Sequence, residues 1–337
     1  MTVLRLCKWI LLLAAVLLLC LLAFLALSSR AALDREYHYS RDAAALPLYT
    51  PGAGDGLYRL RAGGHSFRLR TAGCAGDNAR AAVLLLHGFP VTSAMWLPLI
   101  PALQQAGYCV LAPDLRGYSP GARPAGTGQY KLDQLVADVI GIADAARLQR
   151  FHLAGHDWGS IIGWTVVQQH PQRVLSWTGL SVPHPAAFAE ALRSDPQQRS
   201  RSSYFLLFST PWLPEALLTM HDLAGLRALY TGMRPGQVDE YTALFAEPGA
   251  MTAALNYYRA LAAGGDEQRA RNLTVATPTL FVWGKRDGAV GQRSVELQRQ
   301  YMAGPYEEVE LDAGHWLFVD QAENVTRRIL AHLAAHP

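Results

Sequence analysis

The residue best suited to chemistry is Asp157, which lies between two glycines in the stretch Gly155-His156-Asp157-Trp158-Gly159. A largely apolar run precedes this stretch and a helical pattern of apolar residues follows it, which predicts a strand, a sharp turn and a helix. Glycine on both sides permits the strained turn and close packing of the helix. We expect the carboxylate at the apex to face solvent beside the positive end of the helix, and therefore to stay ionised. A carboxylate oxygen in that position can act as a nucleophile.

Two further polar residues stand just beyond predicted strands. Asp287 follows the apolar run 279–283, and His315 follows the run 306–311. Because the carboxyl ends of parallel strands share one edge of a sheet, we expect both residues to lie beside Asp157. Nucleophile, acid and histidine in this order predict a catalytic triad, in which Asp287 orients His315 and His315 activates water.

The elements that must position these residues form an α/β pattern. Strands alternate with helices, which predicts a doubly wound, mostly parallel sheet. Apolar and polar residues alternate in 58–61 and in 67–70, on either side of Gly63-Gly64. This predicts an antiparallel hairpin that precedes the parallel strands of the sheet. The predicted parallel strands are the short apolar runs at 82–86, 108–112, 151–154, 174–181, 279–283 and 306–311. The predicted helices are 98–106, 132–146, from the turn to about 170, and from about 322 to the end.

Between residues 186 and about 264 the sequence offers no convincing strand, but helical patterns with proline breaks and clustered aromatic residues. This predicts a helical insertion that caps the carboxyl edge of the sheet. The predicted organisation divides the chain into a membrane anchor, a juxtamembrane linker, a first part of the α/β core, the cap and a second part of the core. These segments are residues 1–29, 30–56, 57–183, 184–265 and 266–337.

The N-terminus carries an uninterrupted apolar segment from Trp9 to Leu27, about 19 residues and enough to cross a bilayer. Small residues near its end, such as Ala26 and Ser28, leave a cleaved signal peptide as the alternative. The run exceeds the ~7–15 residues of a signal-peptide core. We therefore expect a single-pass N-terminal anchor that holds the protein on membrane lipid, with its orientation left open.

Charge and cysteine content give two further expectations, one about nucleic acid as a partner and one about disulfides. A net charge of +3 is spread over 337 residues without a basic stripe, so nucleic acid is not an expected partner. Cys7 and Cys20 lie in or beside the apolar segment, Cys109 lies in a predicted core strand, and Cys74 is expected to be exposed. We expect free thiols rather than a disulfide.

The chain resembles the epoxide hydrolase branch of the α/β-hydrolases from about Ser66 to the C-terminus. It carries Gly-x-Asp-x-Gly where serine hydrolases carry Gly-x-Ser-x-Gly. The N-terminal anchor and the stretch from Tyr204 to Glu215 are most similar to the membrane-anchored animal members. The matching motifs are His87-Gly88-Phe89-Pro90, Asp114-Leu115-Arg116-Gly117-Tyr118, Gly155-His156-Asp157-Trp158-Gly159, Val182-Pro183-His184-Pro185, Asn256-Tyr257-Tyr258-Arg259, Gly284-Lys285-Arg286-Asp287 and Gly314-His315-Trp316.

The resemblance implies hydrolysis of a lipophilic epoxide, with water as co-substrate and no metal or organic cofactor. Asp157 would attack a ring carbon and form an ester, and the resemblance places the proton donor for the opening ring at Tyr258. Tyr204 is the candidate for a second donor to the ring oxygen. Backbone N–H groups of Phe89 and Trp158 would hold the oxyanion during ester hydrolysis.

Two other functions compete with this one. A haloalkane dehalogenase uses the same Asp–His–Asp triad, but that family typically has Asn after the His-Gly pair, or a cap tryptophan, and Phe89 stands after the pair here. A fluoroacetate-type dehalogenase usually has Arg after its nucleophile, where this chain has Trp158. A catalytically silent, membrane-tethered binding scaffold would have no physical need for the triad and the cap tyrosine together. These features favour the epoxide.

Several conspicuous residues are expected to serve the structure instead. We expect His87 and Arg116 to stabilise loops, and His156 and His184 to be structural. Tyr257 should pack within the cap, since the family pattern selects the second tyrosine of the pair.

Overall fold

The computed structural model describes residues 3–33, 39–75, 80–264 and 274–337. In this part of the chain eight strands form one sheet. The strands are β1 (Gly56–Ala62), β2 (His65–Ala72), β3 (Arg80–Leu86), β4 (Tyr108–Pro113), β5 (Phe151–His156), β6 (Val174–Leu180), β7 (Thr279–Gly284) and β8 (Tyr306–Leu311). Their spatial order is β1-β2-β4-β3-β5-β6-β7-β8.

The sheet has the predicted topology. β1 and β2 form an antiparallel hairpin through Gly63 and Gly64, whose φ values of 56° and 79° suit glycine. β2 pairs antiparallel with β4, and every pairing from β4 across to β8 is parallel. The α/β-hydrolase fold predicted from the sequence is therefore confirmed, with a mostly parallel sheet behind a leading hairpin. The carboxyl ends of β5, β7 and β8 meet at one edge.

Helices lie on the sheet and above that edge. Those before the cap are α1 (Val3–Leu33), α2 (Tyr39–Ala45), α3 (Ile100–Gln105), α4 (Leu132–Ala145) and α5 (Trp158–Gln169). Those of the cap are α6 (Pro185–Ser194), α7 (Pro196–Arg201), α8 (Tyr204–Ser209), α9 (Leu213–Arg227), α10 (Pro235–Phe245) and α11 (Ala250–Ala262). Those after it are α12 (Gln292–Gln298), α13 (Leu317–Asp320) and α14 (Ala322–Ala335). The core between helices and sheet is apolar and includes the fully buried Trp96, Trp164 and Trp177.

The predicted helical insertion is present as α6 to α11, and hydrogen bonds hold it to the loops that follow β3 and β4. The Tyr230 hydroxyl donates to the Pro90 carbonyl, the Gln237 amide donates to the Ala94 carbonyl at 2.7 Å, and the Tyr257 hydroxyl donates to the Arg116 carbonyl at 2.7 Å. Each donor is buried. Because an unpaired buried polar group is costly, these bonds fix where the cap lies over the sheet edge.

The N-terminal helix α1 contains the apolar segment. Its window Cys7–Phe24 is long and apolar enough to cross a membrane and is not buried in the protein. In the segment that the sequence indicated as a linker, the structure places α2, with Tyr39 buried. The Tyr39 hydroxyl donates to Asp114 at 2.6 Å, and Arg68 pairs with the same carboxylate at 2.9 Å. Part of this segment thus packs on the core.

The expectation of free thiols in the α/β core is wrong. Cys74 and Cys109 form a disulfide, and Cys74 is buried rather than exposed. The reason lies in the register: β2 and β4 pair antiparallel with Ala72 opposite Val110, so the chain beyond β2 runs beside the start of β4. The two cysteines therefore stand next to each other across the sheet. Cys7 and Cys20 in α1 are free, as expected.

Candidate active site

Asp157 stands at the apex of a strained turn between β5 and α5. Its φ of 54° lies in the left-handed region, which non-glycine residues rarely adopt. Gly155 and Gly159 make the turn possible, because a Cβ on either would lie 2.2 Å or less from a backbone oxygen, that of Gly159 and that of Leu86 respectively. The turn predicted from the two glycines is present, and it places Asp157 at the carboxyl end of β5.

The Asp157 carboxylate is buried, which corrects the expectation that it faces solvent. Burial raises its pKa, and the positive charge of His315 and the N–H groups of Phe89 and Trp158 oppose that rise. The Phe89 N–H donates to Asp157 Oδ1 at 2.8 Å. The close approach needs Gly88, where a Cβ would lie 2.4 Å from the Asp157 Cβ. The cap covers the apex, and the sequence could not show how deeply.

His315 connects the other two triad residues. Its Nδ1 lies 2.9 Å from Asp287 Oδ2, and its Nε2 lies 3.7 Å from Asp157 Oδ2. Asp287 is fully buried, and its Oδ1 accepts hydrogen bonds from the N–H groups of Ala289 and Val290 at 2.7 and 3.1 Å. The positive charge of His315 and these hydrogen bonds outweigh burial and keep the pKa of Asp287 below its usual value. Asp287 is thus a fixed negative charge that holds the imidazole with Nε2 toward Asp157.

The charges around His315 favour its protonated form while Asp157 is ionised. Burial alone would lower the pKa of His315, but the carboxylates of Asp287 and Asp157 outweigh burial and raise it to about 9. Once a substrate had esterified Asp157, one of these two negative charges would disappear. The imidazole would then hold its proton less tightly, as a base that activates water requires.

Two tyrosines of the cap face the same carboxylate. Tyr258 on α11 is buried, and its hydroxyl receives a hydrogen bond from the Trp158 side chain. Tyr204 on α8 lies with its ring centroid 6.2 Å from that of Tyr258. Burial and the Asp157 charge raise the pKa of both phenols well above the usual value. Both hydroxyls therefore stay protonated and can donate to an oxygen held above Asp157.

Aromatic rings line the space around the tyrosines. Phe89 and Trp158 contact the Tyr258 ring edge-on, at centroid distances of 5.5 and 5.1 Å. Phe205 and Phe208 of α8 contact the same ring at 5.4 and 5.1 Å. Phe89, Trp158 and the two cap tyrosines therefore form an aromatic cluster with the phenylalanines of α8, and this cluster lies over Asp157.

Two residues that hold the site were not found from the sequence. The Ser181 hydroxyl donates to the His315 carbonyl at 2.8 Å, where the His156 ring also bonds at 2.9 Å. Ser181 directly follows β6, so its place at the same sheet edge was the signal that could have found it. Gln198 of the cap bonds Ala289 and Gly291 at 2.9 and 2.7 Å and so fixes the loop of the triad acid. No short sequence pattern predicts that Gln198 holds this loop.

The residues expected to be structural form structural contacts. His87 accepts the Leu115 N–H at 2.9 Å, and Arg116 pairs with Asp138 through two hydrogen bonds of 2.6 Å. His184 caps α6 and stacks on the Tyr301 ring, and the buried Tyr257 bonds the Arg116 carbonyl. The His156 ring bonds the backbone carbonyl of His315, so its structural role lies within the site.

Comparison with known proteins places this geometry in a family. Residues 81–322 match the model of the alpha/beta hydrolase fold family. Epoxide hydrolase 4 of Mus musculus is 31% identical over 311 residues, which cover 88% of this chain and 85% of that protein. Epoxide hydrolase A of Mycobacterium tuberculosis is 31% identical, over 77% of this chain and 92% of that one. The chain belongs to the epoxide hydrolases of the α/β-hydrolase fold.

A solved structure extends this agreement to three dimensions. An epoxide hydrolase from metagenomes of hot environments superposes with a TM-score of 0.73 and 27% identity, and covers 84% of this chain and all of that one. The resemblance drawn from the motifs around Asp157, Asp287 and His315 is therefore confirmed at the level of the family.

A cavity of about 250 Å³ lies beside the triad histidine, between the cap and the core. Its walls include His156 and Trp316, whose rings lie 4.8 and 5.1 Å from the His315 ring. Apolar side chains from the cap and from the loop after His315, including Met233 and Phe318, complete it. His156 and Trp316 therefore stand between this cavity and the His315 ring.

Proposed function

We propose that this protein hydrolyses lipophilic epoxides to vicinal diols through an ester on Asp157. The observation that carries the proposal is a carboxylate on a nucleophile turn, faced by two tyrosines that stay protonated and by a histidine held by a buried acid. Membership of the epoxide hydrolases supports the same reaction. The apolar lining around Tyr258 supports a lipophilic substrate.

In the first step an Asp157 oxygen attacks one ring carbon. A C–O bond forms to the carboxylate as the ring C–O bond breaks, and the electron pair of the broken bond stays on the ring oxygen. Tyr258, with Tyr204 as second donor, hydrogen-bonds that oxygen and supplies its proton. An alkoxide is far more basic than a phenolate, so the transfer is favourable even though the pKa of each tyrosine is raised.

In the second step water cleaves the ester. His315 takes a proton from water as the water oxygen bonds to the ester carbonyl carbon, and Asp287 stabilises the imidazolium that forms. The N–H groups of Phe89 and Trp158, which already bond the carboxylate, hold the negative oxygen of the tetrahedral intermediate. Collapse breaks the ester C–O bond, and the leaving alkoxide takes the remaining proton of the attacking water to give the diol. The Asp157 carboxylate is restored with one oxygen from water, and the proton on His315 returns to the tyrosinate.

We further propose that α1 anchors the protein in a membrane as a single span. The window Cys7–Phe24 has the length and apolarity for this, and its side chains are exposed. Carbonate extraction of the full chain at alkaline pH tests the anchor, because an anchored chain stays with the membrane. Sequencing the N-terminus of the expressed protein shows whether α1 is retained or removed as a signal peptide.

One turnover in ¹⁸O-labelled water tests the reaction. Excess protein is mixed with a long-chain epoxide, and both diol and protein are analysed by mass spectrometry. We expect unlabelled diol and label on the peptide that contains Asp157; a diol labelled directly from water would remove Asp157 as nucleophile.

Variants separate the two steps and the competing functions. Asp157→Ala should abolish turnover, whereas His315→Gln should still form the ester and retain it as a covalent adduct. Halide release from haloalkanes without diol formation would indicate a dehalogenase instead. Failure with both substrate classes would indicate a silent binding scaffold.

A further inference from the structure

We propose that the outer edge of the cap, residues 204–212, docks on the membrane that holds α1 and receives the epoxide from it. This cap edge comprises α8 and the turn into α9. The inference rests on the proposed anchor and extends the proposed function to the route by which the substrate arrives.

Helix α8 has one face in the site and another at the surface. Tyr204, Phe205 and Phe208 contact the Tyr258 ring at centroid distances of 6.2, 5.4 and 5.1 Å. Leu206 on the same helix is 78% exposed. Helix α8 therefore lies between Tyr258 and whatever covers Leu206.

Trp212 continues the exposed apolar edge beyond α8. It is 43% exposed, has a φ of 67°, and directly precedes α9. Tryptophan is enriched where a membrane meets water, because its ring is apolar and its N–H can bond polar groups. Leu206 and Trp212 together are suited to the boundary layer of a bilayer.

The position of the end of the proposed membrane span indicates that lipid covers the cap edge. Phe24 closes the apolar window of α1, and its ring lies 5.5 Å from that of His221 on α9. His221 lies where α9 turns back on itself, with φ values of 49°, 58° and 64° at residues 221–223. α9 of the cap thus contacts α1 near the end of the proposed span, which would place this part of the cap near the membrane surface.

The charge next to the edge is neutralised within the cap. Glu215, three residues after Trp212, pairs with Arg259 at 2.9 Å. An unpaired carboxylate here would resist transfer toward lipid, whereas a paired one costs less to desolvate. The contact of α9 with α1 favours lipid over a protein partner as the cover of the cap edge, because α9 directly follows that edge and reaches α1 at His221.

Fluorescence quenching in vesicles tests the contact. The full chain with Cys7→Ser and Cys20→Ser carries an NBD label at Leu206→Cys and is reconstituted in phosphatidylcholine vesicles. The control label is at Gln172→Cys, an exposed position before β6 at the opposite edge of the sheet. We expect spin-labelled lipid to quench the label at 206 but not at 172, and iodide in water to quench the label at 172. Equal behaviour of the two labels would overturn the proposal.

A charge on the edge tests the substrate route. Leu206→Glu should raise KM for a long-chain epoxide presented in vesicles about tenfold, the effect of losing most of a leucine's burial. It should leave kcat for a short water-soluble epoxide unchanged, and Leu206→Met should behave as the wild type. An equal loss with both substrates would refute the route. If the wild type makes no diol from either epoxide, the proposed function fails, and the quenching result still decides the docking.

Discussion

Removing the charge of Asp157 should lower the pKa of His315 by one to three units. His315 Nε2 lies 3.7 Å from Asp157 Oδ2. With an effective dielectric constant of about 20, unit charges at that separation interact by about 4.5 kcal/mol, or roughly three pKa units. This is an upper limit, because Asp157 contributes the smallest of the effects that raise the pKa of His315. In Asp157→Asn the pKa of His315 should therefore fall from about 9 to between about 6 and 8.

The assay is an NMR titration of ¹⁵N-labelled imidazoles in wild type and Asp157→Asn. Asp287→Asn is the control, since it removes the closer carboxylate at 2.9 Å and should lower the pKa of His315 further than Asp157→Asn does. A fall of less than half a unit in Asp157→Asn would refute the reasoning, because ester formation would then leave the base unchanged.

The same shift predicts the pH dependence of turnover. His315 can accept a proton from water only in its neutral form, so the rate of ester hydrolysis should rise with pH through the lowered pKa of His315 and then level off. Below that pKa the ester should accumulate, which quenched-flow mass spectrometry of single turnovers can measure. A hydrolysis rate whose midpoint stays near pH 9 would contradict the proposed switch.

Three further perturbations test the surroundings of the triad. Tyr258→Phe should slow ester formation about 10²–10⁴-fold in single turnovers, and Tyr204→Phe should slow it less, since general acid catalysis has that range; equal rates for Tyr258→Phe and wild type would exclude it as donor. Ser181→Ala removes one hydrogen bond to the His315 carbonyl and should slow ester hydrolysis about fivefold, from a net loss of about 1 kcal/mol, while ester formation is unchanged. Replacing Cys74 and Cys109 by serine should lower the free energy of unfolding in urea by about 3–4 kcal/mol, because the disulfide closes a loop with a sequence separation of 35. Four titratable thiols in the denatured wild type would show that no disulfide forms.

The meeting of Asp157, Asp287 and His315 could be predicted because a short local pattern marks each of the three residues. Asp157 has its flanking glycines, and Asp287 and His315 each follow an apolar strand. Parallel strands bring such ends together whatever the details of packing. The hairpin at Gly63-Gly64 and the helical cap were predictable for the same reason, since a short pattern determines each.

What could not be predicted depends on contacts between distant segments. The bond between Cys74 and Cys109 depends on the antiparallel pairing of β2 with β4, which brings the end of one strand beside the start of the other. The burial of Asp157 depends on how closely the cap approaches. Tyr39 looks like part of a polar linker in the sequence, and only the fold brings it to Asp114.

The burial that corrects the prediction for Asp157 also accounts for how one site could hold both the proposed nucleophile and the proposed acids. Exclusion of water disfavours every charge, so Tyr258 and Tyr204 keep their protons and remain donors. The same exclusion would neutralise Asp157 were it not for two N–H groups and the imidazolium of His315, which favour its ionised form. In the proposed mechanism, ester formation would remove the negative charge of Asp157 that stabilises the imidazolium of His315. The site would then change from a state suited to attack on the epoxide to one suited to hydrolysis of the ester. The cap that carries the tyrosines would thus also set the polarity on which both proposed steps depend.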